Sequence, residues 1–392
     1  MRILFIEPNI EGRIGEPPLN IAGLKSFVNK MTKHDAKCCD LSFNKGSWQE
    51  YLTDEIASQK YDIIGISTLS FNYHQAVIIA EYLKSVQPDL PIIMGGIHCI
   101  LQPDEVINCP FVDFVCTSEG EWVIQKFLDK NLDPEGIKGL WYRNAEGEAV
   151  KQAQPEVEKN IDQFPFPDWD DFPLEKYFLF NMSSLPIMGS RGCPYTCTYC
   201  SAHAVAGALG AKKTRYRSAD NIIGEVEYLF ERYGDGGLRH FLFEDDVFIG
   251  HKKRVYEFCD KYIERGFHKK YLWTANVRAN IVNDDILKAM KAAGCYEAGM
   301  GVESSNDYVR NKIFRRNMST QQILDAAALI KKHGLLLHVP IIMGSPFDTK
   351  EIMEENLAFM KKLEAECMLF PVLMPLPGTD IREICEQEGV LE

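Results

Sequence analysis

No stretch of about eighteen apolar residues runs unbroken in the chain, so no membrane-crossing helix is expected. Met1-Arg-Ile-Leu-Phe-Ile6 is too short for a secretory leader and predicts a first strand instead. No Gly-x-Gly-x-x-Gly follows a predicted strand, which removes the usual phosphate cradle of a dinucleotide site. Low-complexity tracts and repeats at a solenoid period are also missing, which excludes disordered arms and repeat arrays. Positive charge is in short supply: 43 Lys and Arg against 56 Asp and Glu leave a net charge of −13. A large nucleic-acid surface is therefore not expected, and the basic run Lys212-Lys213-Thr-Arg215-Tyr-Arg217 predicts a solvated loop. Most pointed is the want of a fourth cysteine near Cys193, Cys197 and Cys200.

What is present suits two ordinary globular domains. The 392 residues are 46% hydrophobic and 25% charged, enough for two full cores. Twelve cysteines without an export signal point to a reducing compartment, the cytoplasm. The nine outside the triplet are expected as buried apolar filler.

The first part of the chain alternates short apolar runs with amphipathic ones. Strands are expected at 2–6, 36–40, 61–67, 91–94 and 112–116, the last closing the sheet. Helices are expected at 19–30, 48–58, 73–86, 104–108 and 121–130. This rhythm predicts a doubly wound, Rossmann-like parallel sheet whose ligand binds beyond the strand C-termini. The turns there are Glu7-Pro-Asn9, Thr68-Leu-Ser70, Gly95-Gly-Ile-His98 and Ser118-Glu-Gly-Glu121. Residues 139–143 and 148–152 read as a hairpin, and the prolines at 165, 167 and 173 keep the following connector out of a helix. The division expected is 1–135, a linker over 136–183, and a second domain over 184–392.

That second domain predicts strands at 185–189, 239–243, 271–275, 297–301, 335–343 and 368–373, each but the last followed by a helix. Six such units fit a partial (βα)6 TIM-type barrel, with chemistry at the C-terminal rim. The first rim loop is Gly189-Ser-Arg-Gly-Cys193-Pro-Tyr-Thr-Cys197-Thr-Tyr-Cys200. Three thiolates at this spacing can grip three irons of a 4Fe-4S cluster and leave one iron open. His203 could instead complete a Cys3His zinc site, and the spacing alone does not choose. Glu244-Asp-Asp246, Asn276 with Arg278, Glu303-Ser-Ser305 and Gly344-Ser-Pro346 follow later strands on the same rim. A zinc knuckle needs no barrel around it, so the balance moves to an iron–sulfur active site.

The half from Leu185 onward resembles the radical S-adenosylmethionine (SAM) enzymes, whose Cys-x3-Cys-x-aromatic-Cys pattern it matches. The resemblance implies a 4Fe-4S cluster on Cys193, Cys197 and Cys200, whose open iron chelates SAM. It implies Tyr199 near the adenine and Glu244 or Asp245 toward the SAM ammonium. Arg278 would face the SAM carboxylate, and Glu303 with Ser304 the ribose. The first 130 residues or so resemble the cobalamin-binding domain found ahead of such enzymes, through Pro17-Pro-Leu-Asn-Ile-Ala-Gly-Leu24, Ile64-Gly-Ile-Ser-Thr68 and Met94-Gly-Gly-Ile-His98. Pro8, Asn9, Thr68, Ser70, Gly95, Gly96, His98, Glu119 and Gly120 are the cobalamin-facing residues this implies. The Asp-x-His-x-x-Gly signature that supplies a cobalt ligand elsewhere is absent, and the usual Gly-Gly-Pro-His reads Gly95-Gly-Ile-His98.

Taken together, the resemblance implies methyl transfer to carbon or phosphorus of a small metabolite, antibiotic or lipid precursor. An external electron donor such as flavodoxin or ferredoxin would be needed. A cyclase, oxidase or rearrangement enzyme on the same scaffold is the alternative, and a zinc-binding interaction protein the distant one. The resemblance also implies further C-terminal sequence, or a partner, closing the barrel.

Overall fold

A computed structural model describes residues 1–391 as two compact units. The first comprises Met1–Lys159, Gln163–Asn181 and Gly207–Ala211; the second comprises Asn160–Asp162, Met182–Ala206 and the chain from Lys212.

In the first unit, β1 (Arg2–Glu7), β2 (Asp35–Asp40), β3 (Ile63–Ser67), β4 (Ile92–Gly95) and β5 (Phe114–Cys116) form a parallel sheet in the order β2-β1-β3-β4-β5. Ile3, Leu4, Ile6, Ile63, Ile64 and Ile92 are fully buried, which is why these strands read as unbroken apolar runs: helices cover both faces. Helices Leu19–Met31, Trp48–Ser58, Tyr73–Val86 and Gly120–Asp129 occupy the expected places within a residue or two. The sheet does not close at β5. The hairpin of β6 (Leu140–Arg143) and β7 (Ala149–Val150) adds two antiparallel strands, with Phe114 opposite Tyr142. An uncovered β5 would leave a row of unpaired backbone groups, and the hairpin pairs them.

The proline-rich segment beyond it packs into the same unit. Trp169 is fully buried, Tyr177 donates to Asp40 Oδ2 at 2.6 Å, and the nearly buried Lys25 ammonium meets Asp168 and Asp171 at 3.2 and 2.9 Å.

The second unit holds six parallel strands in unbroken chain order: β8 (Ser184–Ile187), then, after the short pair β9 (Ser190–Arg191) and β10 (Arg215–Tyr216), β11 (His240–Phe243), β12 (Leu272–Val277), β13 (Cys295–Met300), β14 (Leu336–Pro340) and β15 (Cys367–Leu369). Helices Ala219–Tyr233, Asp284–Ala292, Thr320–Lys332 and Lys350–Leu363 start where a side chain caps the free backbone N–H groups: Ser218, Asn283, Ser319 and Thr349. Ser319 with Gln322 makes a full capping box. Outward-facing Phe243 and Trp273 of the sheet interlock with Phe248 and with Phe258 of the helix Lys252–Glu264. Two α-helices of this unit were not expected: Ser201–Ala208, directly after the cysteines and without a clear apolar stripe, and the short Asp380–Gln387, which buries Ile381 and Cys385.

Candidate functional site

The cysteine loop leaves β8 and is held open by packing on its flanks. Its start is clamped by β9 pairing antiparallel with β10, Arg191 opposite Arg215. Its far end is pinned by Thr198, which donates its N–H to the Phe314 carbonyl at 3.3 Å and its hydroxyl to Ile313 at 2.7 Å. The Thr198 carbonyl in turn accepts from Ile381 N–H at 3.0 Å. Cys197 is buried, while Cys193 and Cys200 keep partial exposure. Burial pushes the thiols of Cys193 and Cys200 up, the latter to about 11. Metal binding at the loop must therefore displace protons.

Cations surround the buried sulfur. Nη1 of Arg278 and Nη1 of Arg316 each lie 3.8 Å from Cys197 Sγ. The Arg278 guanidinium also stacks 3.8 Å over the Tyr195 ring and donates to the Arg316 carbonyl. Arg316 donates to the Tyr199 hydroxyl at 3.2 Å. Three thiolates and a cluster are anionic as a set, and two buried guanidiniums beside one sulfur are what such a set requires. The donor chemistry fits an iron–sulfur group. Among the described residues, no three His, Cys, Asp or Glu side chains converge on a single-ion position, His203 included.

Glu303 completes this wall. It is the residue after the β13 turn, with its backbone at φ 68°, a left-handed conformation that costs a side-chain-bearing residue about 1 kcal/mol or more. The conformation is fixed from both sides: Glu303 N–H donates to the Pro340 carbonyl, and the Glu303 carbonyl accepts from Ile342 N–H. The result aims its carboxylate at Arg316 Nη2, 3.9 Å away. Burial raises the Glu303 pKa, and Arg316 pulls it back. Tyr199 packs edge-on against Phe314, its hydroxyl raised by burial and then by Glu303.

The acidic triplet after β11 splits by strand alternation. Glu244 and Asp246 keep exposed surface at the rim, yet their carboxyls sit deep enough that desolvation, and then Asp245, raises both. Asp245, expected at the SAM ammonium, points the other way and has no exposed surface. Its carboxylate accepts from Gly189 N–H at 2.8 Å, Ser190 Oγ at 2.6 Å and Arg254 at 2.9 Å. Asp245 is thus a brace behind the loop. A Cβ on Gly189 would stand 2.8 Å from Arg254 and 2.9 Å from Asp245, so the brace needs glycine there. Ser304, expected at the ribose, is also fully buried; its hydroxyl accepts from Asn306 N–H at 3.2 Å. Arg316 and Arg254 had no sequence signal beyond an ordinary basic doublet and a helix position.

In the first unit the turns after β1, β3, β4 and β5 gather at the strand C-termini, where β1 and β3 part the two directions of winding. Their polar side chains are largely spent on one another. Thr68 is fully buried and donates to the Gly95 carbonyl at 2.9 Å. Gly96, at φ 106°, passes so close that any Cβ would overlap the Thr68 carbonyl. His98, expected toward the cofactor, is 3% exposed, stacks on Tyr73 at 4.2 Å and meets Ser70 Oγ at 3.1 Å. Its Nδ1 and ring face hold the turn, while the buried Nε2 lies 3.5 Å from the Glu105 carboxylate. Asn9 reaches back to the Arg13 carbonyl, Pro8 is buried, and Glu119 and Gly120 open the last helix. The glycine-rich backbone at Gly95-Gly96 is what would let a corrin rest on these turns.

Comparison with known proteins agrees with both halves. Residues 187–360 match the Radical SAM superfamily and residues 16–128 match the B12 binding domain. An uncharacterized methyltransferase of Pyrococcus horikoshii is 31% identical, covering 100% of this chain and 84% of its own length. The anaerobic magnesium-protoporphyrin IX monomethyl ester cyclase of Rubrivivax gelatinosus is 26% identical, covering 97% of this chain and 69% of its own length. The fold is shared with the radical S-adenosylmethionine methyltransferase TsrM of Kitasatospora setae, solved with cobalamin and a [4Fe-4S] cluster. That match has a TM-score of 0.81 at 17% identity, over 98% of this chain and 75% of that one.

Proposed function

The chain belongs to the radical SAM enzymes that carry a B12-binding domain, in their methyltransferase-like branch, and from that premise we propose that it methylates an unactivated carbon, or phosphorus, of a small metabolite, antibiotic or lipid precursor. The observation that carries the reading is the buried Cys197 sulfur with guanidiniums of Arg278 and Arg316 at 3.8 Å, on the rim of a six-stranded parallel sheet. When bound, a 4Fe-4S cluster with SAM supplies a carbon-centred radical and cobalamin supplies the methyl group.

The chain's own residues bind, orient and exclude. Cys193, Cys197 and Cys200 hold three irons. Arg278 and Arg316 offset the negative charge that three thiolates bring into a buried wall. Tyr199, Glu244 and Glu303 face SAM, with the Glu303 carboxyl toward the ribose hydroxyls. Asp245 and Arg254 keep the loop in place from behind. The turns at Pro8-Asn9, Thr68–Ser70, Gly95–His98 and Glu119-Gly120 carry the corrin. Cys193 and Cys200 retain some exposure, which suits electron delivery from a flavodoxin- or ferredoxin-like donor. No disulfide joins any of the twelve cysteines, which suits a reducing compartment such as the cytoplasm.

The test is anaerobic reconstitution with iron and sulfide, then incubation with methyl-labelled SAM, a reductant and a small-molecule extract, with and without cobalamin. Cobalamin-dependent label in a product supports the reading. 5′-Deoxyadenosine without label would favour ring closure or oxidation instead, the reading that the cyclase relative supports. Zinc in place of iron would sink both.

A further inference from the structure

One polar band of the second sheet takes no part in the site above. Asn276, Gly299, His338 and Cys367 stand in direct register across β12, β13, β14 and β15. Ala275, Val277, Ala298, Met300, Leu337 and Val339, which flank the first three, are all buried. By strand alternation Asn276, Gly299 and His338 therefore share the inner face of the sheet. A Cβ on Gly299 would stand 2.5 Å from Asn276 Oδ1, so the Asn276 amide leans across β13 toward β14.

From the other side, His338 Nδ1 lies 3.3 Å from Glu297 Oε1. A carboxylate only accepts, so the proton of this contact sits on Nδ1, and in the Nδ1–H tautomer Nε2 is an acceptor. Nε2 is bonded to nothing, although the imidazole keeps 28% of its side-chain surface open. An unpaired buried nitrogen costs on the order of 1–3 kcal/mol and requires a compensating role. In the Nδ1–H tautomer the partner that Nε2 calls for is a group that donates.

We propose that His338, oriented by Glu297, together with Asn276 selects the methyl acceptor, and that this acceptor carries a hydroxyl or amine close to the reacting carbon. The band lies two residues before Arg278 along β12, one layer below the rim that holds the cysteine loop. The inference rests on the methyl-transfer reading for its meaning, but its geometry can be tested without turnover.

The measurement uses the full chain labelled with 15N-histidine and follows imidazole nitrogens by NMR. The probe is 1-butanol, and the control is its isomer diethyl ether, which accepts a hydrogen bond but cannot donate one. Among the nine histidines, the His338 signals are those lost in His338→Gln. The expected result is an Nδ1–H tautomer whose Nε2 resonance shifts saturably with 1-butanol and not with ether. Glu297→Gln should let the Nε2–H tautomer appear, and Asn276→Ala should weaken the butanol response. An Nε2–H tautomer in the unaltered chain, an equal shift with ether, or no shift with butanol would each overturn the proposal. The methyl-transfer reading fails separately, in the labelled-SAM assay.

Discussion

Arg316 places its Nη1 3.8 Å from the sulfur of Cys197, a residue 119 positions earlier in the chain. No local motif joins them; the fold alone makes the sulfur and the cation neighbours. Replacing Arg316 with Met keeps the bulk of the stem and removes the charge. Iron affinity should fall about 10–100-fold, as outer partners of metal ligands commonly cause. Iron and sulfide titration under limiting iron, with circular dichroism to show an intact fold, checks this.

Asp245 and Arg254 form an ion pair with 0% and 4% of their side-chain surfaces exposed. Asp245→Asn leaves the guanidinium charge buried and uncompensated, at a cost of about 3–5 kcal/mol. Denaturant unfolding of the second unit should register that loss. Gly189→Ala should reduce cluster loading in the same direction, because its methyl enters the space of both partners.

Glu303→Gly separates stability from function. Glycine accepts φ 68° without strain, and the change also removes a buried carboxyl whose pKa burial raises. Relief of about 1 kcal/mol of backbone strain should partly offset the loss of the carboxylate beside buried Arg316, leaving Glu303→Gly more stable than Glu303→Ala. SAM binding, followed by equilibrium dialysis on the reconstituted protein, should weaken. A glycine variant no more stable than the alanine variant would contradict the strain reading.

Glu7 makes the first unit sensitive to pH. Burial, then the neighbouring Asp40, raise its carboxyl from 4.5 to about 8. Between those values the folded chain holds a proton that the unfolded chain has released, so stability falls as pH rises. Glu7→Gln, uncharged throughout, should match the unaltered chain near pH 4.5 and exceed it by about 4–5 kcal/mol above pH 8. Thermal unfolding across this window decides it.

Local patterning made much of this molecule legible. The strands of both sheets, the cap residues Ser218 and Ser319, and the cysteine spacing all announce themselves within a few residues. The hairpin at β6 and β7 was readable as a hairpin, but not as an extension of the first sheet, because its partner β5 is chosen by tertiary packing. Asp245 was hidden for another reason. Three acids in a row share one composition, and only strand alternation decides which of them faces inward. His98 likewise carried the residue type of a ligand, and only Tyr73 and Ser70 show that its ring is already employed.

The hydrogen bonds from Thr198 to the carbonyls of Ile313 and Phe314 also impose an order of events in the cell. The cysteines emerge from the ribosome well before the residues that pin and flank them. At about 5–20 residues per second, the 119 positions from Cys197 to Arg316 take on the order of ten seconds to make. During that interval the three thiols belong to an unfinished wall, and Ile381, which closes the last bond, comes later still. Iron loading into the finished wall is therefore a step that follows synthesis.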